Sequence, residues 1–134
     1  MSRVLFVCGS NVGRSQVAEA FFNAYSKSGS AWSCAGNDFI GGEIQEDVAK
    51  MMKDDFGIDM SKQRPKPFNW NMVKQSDKLV ILCSASECPS IRGADHWSIP
   101  NMGKLSSEGK QEVIKLIQSR VRGLVKKLDS NRVK

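Results

Sequence analysis

The sequence predicts an α/β fold: a single domain over residues 1–134 in which a four-stranded parallel sheet is flanked by helices on both faces. Short apolar runs of strand length alternate along the chain with stretches whose apolar residues recur at helical spacing, the pattern of successive strand–helix–strand units. The two clearest runs are unbroken rather than alternating, as in strands covered on both sides. At 134 residues and 40% hydrophobic composition the chain holds one core, since single domains run to about 100–150 residues.

Residues 3–7 read as the first strand, and behind them Ala18, Phe21, Phe22 and Tyr25 form the stripe of a helix that begins near Gly13 or Arg14. A second strand fits 31–35 and ends at the turn signal Gly36-Asn37. Ile44, Val48, Met51 and Met52 mark a second helix, which Gly57 stops. Beyond the polar link Arg64-Pro65-Lys66-Pro67, residues 68–75 fit a short helix. Residues 79–82 are the clearest buried strand after the first, and a weaker one covers 96–99. The last helix spans 107–128, with Val113, Ile114, Ile117, Val121, Leu124 and Leu128 on one face. Internal repeats and low-complexity segments are absent.

The longest apolar run, 4–8, falls far short of the roughly 20 residues of a membrane span, and the N-terminus lacks a secretory pattern. A cytoplasmic protein with no membrane partner is expected. There, four cysteines are reduced, catalytic or metal-binding rather than a structural framework. The net charge of +6 is densest over 120–134, which reads as a solvated helix face and chain end rather than a nucleic-acid site. A mild positive field also suits a small oxyanion.

Ligands of such sheets sit beyond the carboxyl ends of the strands, the edge that Cys8 and Cys83 both occupy. Between the first strand and its helix lie Gly9, Ser10, Asn11, Val12, Gly13 and Arg14. A loop in that position points backbone N–H groups into one concavity, and the helix dipole adds positive charge, so a tetrahedral oxyanion fits. Gly9 and Gly13 allow backbone angles other residues resist, and Asn11 tolerates positive φ. Arg14 adds a planar fork of donors. Cys8 at the base of the cradle then favours its thiolate, with Ser15 as a further donor to the sulfur. The roles separate: Cys8 attacks, while Arg14 and the amides hold the developing charge. A lone cysteine at a strand end is usually a small buried hydrophobe. The combination Cys-x5-Arg-Ser between strand and helix is what makes this one specific.

The run VLFVCGSNVGRSQVAEAFF over 4–22 resembles the signature of the low-molecular-weight protein tyrosine phosphatase superfamily, which includes the thioredoxin-coupled arsenate reductases. WSCAG at 32–36 resembles its strand-two Ser-Ala-Gly signature with a cysteine inserted, FGIDMSKQ at 56–63 its Gly-Ile-Asp-x-Ser segment, and LVILC at 79–83 its third strand. The resemblance implies the same four-stranded sheet, with Cys8 as nucleophile, Arg14 as oxyanion-binding arginine, Asn11 as loop-shaping asparagine and Ser15 as the serine that bonds the thiolate. Gly13 departs from the cysteine often found before the arginine, a position that is not the nucleophile.

In LCSASECP, Cys83 and Cys88 resemble the second and third thiols of the reductases. The resemblance implies a relay in which Cys8 attacks arsenate, Cys83 attacks the Cys8 sulfur to release arsenite, and Cys88 attacks Cys83. A thioredoxin-like reductant then reduces the Cys83–Cys88 disulfide. The polar stretch 84–87 is expected to supply the mobility these exchanges need. Read from the residues alone, Cys83 also suits a buried strand position, and Cys83 with Cys88 half a metal site. No other paired cysteines accompany them and His96 is the sole histidine, so no metal is expected. Cys34, in a buried strand, reads as core.

The superfamily usually carries a general-acid aspartate after the fourth strand, and HWSIPNMGK places Asn101 at that position. An amide cannot release a proton near neutral pH, which removes about 10²–10⁴-fold of rate unless another acid substitutes. Asp95 is a candidate substitute. The tyrosine pair of phosphotyrosine-specific members is also absent, leaving Trp97 and Trp70 as either pocket walls or core and surface anchors. Three readings follow, none needing a cofactor. A thioredoxin-coupled arsenate reductase leads. The alternative hydrolyses phosphotyrosine through a Cys8 phosphocysteine, and the third is a catalytically weak phosphate-binding module.

Overall fold

Alternate residues of the first strand, β1 (Arg3–Cys8), enter two separate cores, because side chains along a strand point to opposite faces. The structure is a computed structural model that describes residues 2–84 and 88–132. After β1 come α1 (Arg14–Tyr25), β2 (Ser30–Ala35), α2 (Glu46–Phe56), α3 (Trp70–Gln75), β3 (Lys78–Ile81), β4 (Asp95–His96) and α4 (Ser107–Arg132). All strand pairings are parallel, in the order β2-β1-β3-β4. Val4, Phe6 and Cys8 join Val80 and Leu82 beneath α1, α2 and α4, whereas Leu5 and Val7 join Cys34, Ile81, Met72 of α3 and Cys88 on the other face. The fold class is therefore the one expected.

The chain runs outward from β1 to β2 and then returns to β3 on the other side. Between β1 and β3 the strand order reverses, and a crevice opens there beyond the carboxyl ends. Cys8 ends β1, and Cys83 stands just past β3. Gly57 stops α2 at φ 71°, with its N–H on the Lys53 carbonyl and the Ile58 N–H on Met52, a glycine-terminated helix end. Asn69 caps α3, its Oδ1 accepting from the Asn71 and Met72 amides. Val113, Ile114, Ile117 and Val121 of α4 are buried, as their spacing predicts.

Several boundaries differ from expectation. β2 begins at Ser30, β3 ends at Ile81 rather than 82, and α4 runs on to Arg132. The weak strand expected over 96–99 is only Asp95–His96. Its partner sets that limit: β3 ends at Ile81, so after the Trp97 N–H bonds the Ile81 carbonyl at 2.9 Å the ladder has no further rungs. The Ile99 carbonyl instead accepts from Arg14. Among the described residues no helix is long and apolar enough to cross a membrane.

Candidate active site

The turn from β1 into α1 is organised by Asn11, fully buried and the sole described non-glycine residue with positive φ (62°). Its Oδ1 accepts the Lys66 backbone N–H at 2.8 Å and Gln16 Nε2 at 2.9 Å. A backbone amide can only donate, so the Lys66 bond fixes which end of the Asn11 amide is oxygen. Nδ2 then donates to Ser15 Oγ at 2.7 Å and Ser33 Oγ at 2.9 Å. Ser15 Oγ, held by that bond, lies 2.8 Å from Cys8 Sγ, and against a thiolate its proton is the one that bridges them. The Ser15 backbone N–H points at the same sulfur from 3.4 Å. Ser33 in turn donates to Glu19 Oε1 at 2.7 Å, and burial raises the Glu19 pKa above its usual value against that bond and the Lys66 charge.

The start of α1 has no side-chain cap and no acidic residue in its first turn, which leaves the dipole and first-turn donors to an anion. Beside it a cavity of about 280 Å³ is lined by Cys8, Ser10, Val12, Gly13, Arg14, Ile40, Gln45, Asn101, Met102 and Gly103. Arg14 is buried, with Nη1 donating to the Leu82 and Ile99 carbonyls at 3.0 and 3.1 Å. These carbonyls, one residue past β3 and three past β4, fix the guanidinium in place. Arg14 also lines a second cavity, of about 300 Å³, with Cys83, Trp97 and Asn101. A larger groove along α2 contains none of these residues.

Cys83 and Cys88 are joined by a disulfide, with Cα atoms 6.1 Å apart. Cys83 Sγ lies 3.8 Å from the carbonyl oxygen of Val7, the residue before Cys8. A disulfide sulfur has no proton, so this is a contact rather than a hydrogen bond. The stretch 84–87 expected to be mobile lies outside the described residues except for Ser84. Cys8 and Cys34 are unpaired and buried, and burial pushes the Cys34 thiol up to about 11. Among the described residues no three His, Cys, Asp or Glu are grouped to hold a metal.

The family model for low molecular weight phosphotyrosine protein phosphatases matches residues 3–134. The chain belongs to that family. One similar protein is the arsenate reductase of Brevibacillus brevis, 30% identical over 89 residues, 65% of this chain and 64% of the relative. A solved thioredoxin-dependent arsenate reductase from Corynebacterium glutamicum is 28% identical with a TM-score of 0.79, over 98% of this chain and 63% of that one. The chain thus spans just under two thirds of each of these relatives. The low molecular weight protein tyrosine phosphatase of T. tengcongensis shares the fold, with a TM-score of 0.82 at 22% identity over 95% of this chain and 99% of that one.

Within the phosphatase-family fold, the residues singled out in the sequence fall into distinct places. Ser10, Val12, Gly13 and Arg14 border the first cavity with Cys8, whereas Gly9 and Asn11 stand outside its lining. Gly9 anchors the loop through its carbonyl, which accepts the Gly36 and Asp38 N–H groups. Neither Gly9 nor Gly13 has positive φ, but Gly13 lies at φ −141° and ψ −89°, outside the ranges that residues with a Cβ favour, as expected of it. Gly13 also supplies space, since a Cβ there would come 3.0 Å from Gln45 Oε1. Asp95 does not reach either cavity. It pairs with Lys78 at 2.7 Å, which holds its carboxyl below the usual range and ionised, so it is no substitute acid. Asn101 is exposed, its Oδ1 accepting the Gly103 N–H at 2.8 Å. Trp97 packs on Phe6 and borders the second cavity, while Trp70 is exposed against Phe68. Sequence reasoning missed Ser33, Glu19 and Gln45. A serine facing inward from an apolar strand was the available signal for the first; the others carried none.

Proposed function

We propose that this protein reduces arsenate by a three-thiol relay, and the observation that carries the reading is the Cys83–Cys88 disulfide at the same sheet edge as Cys8. In the first step Cys8 sulfur bonds to As(V) while one arsenate oxygen departs as water. Arg14 and the loop amides hold the anionic oxygens. Cys83 sulfur next attacks Cys8 sulfur. The S–As electron pair passes to arsenic, which leaves as As(III) arsenite, and a Cys8–Cys83 disulfide forms. Cys88 sulfur then attacks Cys83, freeing Cys8 and leaving the Cys83–Cys88 disulfide. Two thiols lose two electrons, arsenic gains two, and a thioredoxin-like dithiol restores the pair. Such cycling belongs in a reducing compartment, which supports a cytoplasmic location.

Hydrolysis of phosphotyrosine through a Cys8 phosphocysteine is the second reading, favoured by family membership. It lacks an acid: Asn101 cannot give a proton, and Asp95 is tied to Lys78. The test is oxidation of reduced thioredoxin by the purified protein on adding arsenate, compared with turnover of p-nitrophenyl phosphate. The relay expects the first activity, and its loss in Cys8→Ser, Cys83→Ala and Cys88→Ala. Arsenate reduction that survives both Ala variants would sink the relay. Ester turnover alone would favour the phosphatase, and phosphate binding with neither activity would leave a binding module.

A further inference from the structure

Gln45 stands at the N-cap of α2, and its backbone N–H donates to the Val12 carbonyl at 2.9 Å, tying that helix to the oxyanion loop. An N-cap side chain ordinarily turns back to the first helical amides, but this one makes no such bond. It borders the cavity with Cys8, Ser10, Gly13 and Arg14 instead. Its Oε1 lies beside Gly13, in space that a Cβ there would contest at 3.0 Å, with Nε2 on the side of Gly103. Among the described residues, Gln45 Oε1 is the one buried side-chain oxygen or nitrogen without a hydrogen-bond partner. A buried acceptor is costly to leave unmatched. Arg14 and the amides of the loop, by contrast, are a cation and donors, suited to bare anionic oxygens. An amide oxygen there repels such an oxygen and can bond an oxyanion guest only through an O–H of that guest.

We propose that Gln45 reads the protonation of the guest: its Oε1 accepts a hydrogen bond from the hydroxyl of a monoprotonated tetrahedral oxyanion, hydrogen arsenate or hydrogen phosphate. The site then favours a free oxyanion over a dianion that carries no hydroxyl, such as sulfate or an aryl phosphate. This deepens the arsenate reading and rests on it for the location of the guest.

Hydrogen phosphate and sulfate share shape and charge near neutral pH and differ by that one proton. Calorimetric titration of each into the full-length protein and into Gln45→Met therefore isolates the contact. Phosphate affinity is expected to fall about tenfold in the variant while sulfate affinity changes less than about twofold. Equal loss for both ions, or no loss for phosphate, would overturn the assignment. If Gln45→Met does not fold, Gln45→Ala is measured in the same way. Should the wild-type protein fail to reduce arsenate while the phosphate preference still collapses in the variant, the reductase reading falls and the role of Gln45 stands.

Discussion

On the β1–α1 side of the crevice, Asn11, Ser15, Gln16 and Ser33 are fully buried and bonded to one another or to the Lys66 amide. On the β3–β4 side, Ser84, Ser98, Pro100 and Asn101 are exposed, β4 is two residues long, and Cys83 is covalently tied to Cys88. The first side holds donors where a small anion needs them in advance, so reorganisation is avoided. In the proposed relay the second exchanges sulfur partners, and sites that change partners are drawn from the less tightly held parts of a fold. Arg14 joins them, rooted in α1 and bonded to carbonyls that follow β3 and β4.

Breaking the buried side is expected to have the largest effect. Asn11→Ala removes four hydrogen bonds and leaves the Lys66 amide without its acceptor, while Gln16, Ser15 and Ser33 keep Arg64, Cys8 and Glu19 as partners; at about 1 kcal/mol per bond the total is near 3–5 kcal/mol. Urea unfolding measures it, and a loss below about 1 kcal/mol would mean the network does not hold the loop. On the exposed side, Asn101→Asp restores a proton donor and should raise p-nitrophenyl phosphate turnover about 10²-fold. No gain would place the missing acid elsewhere. Contrasting thiols sharpen the comparison further. With the Cys34 thiol pushed up to about 11, iodoacetamide at neutral pH should modify Cys8 at least about tenfold faster than Cys34, and phosphate should protect Cys8. Equal rates would count against an activated Cys8.

The smallest effect concerns Glu19. Its folded pKa lies above the ordinary 4.5, so the folded state holds the proton more tightly than the unfolded chain. That contribution to stability is present below 4.5 and lost as pH rises through the folded value. Glu19→Gln has no such loss. The melting temperature of the variant relative to wild type should therefore rise with pH, and a pH-independent difference would show that burial of the carboxyl carries no weight.

The β1–α1 turn was legible because its parts are contiguous: an apolar strand, a cysteine, a glycine-bearing loop and a helical stripe occupy one stretch of chain. β4 was legible only as a weak signal, since its length depends on where β3 stops. Gly13 was read as a conformational device, which its angles bear out, but that it also leaves room for Gln45 was not legible. A side chain needed for its small volume looks the same in sequence as one needed for its angles.

Periodicity and spacing by themselves determined the order of strands and helices, the placing of Cys8 and Cys83 on one edge, and the anion-seeking character of the loop, because neighbouring residues carry those signals. Only the tertiary structure decided that the Lys66 amide, 55 residues from Asn11, orients the amide that turns Ser15 toward the sulfur. It alone also decided that Asp95 is occupied by Lys78 and that Gln45 turns an acceptor into the cup. These are hydrogen-bond distances between segments remote in the chain, and they are set by how the layers pack, which no local pattern encodes.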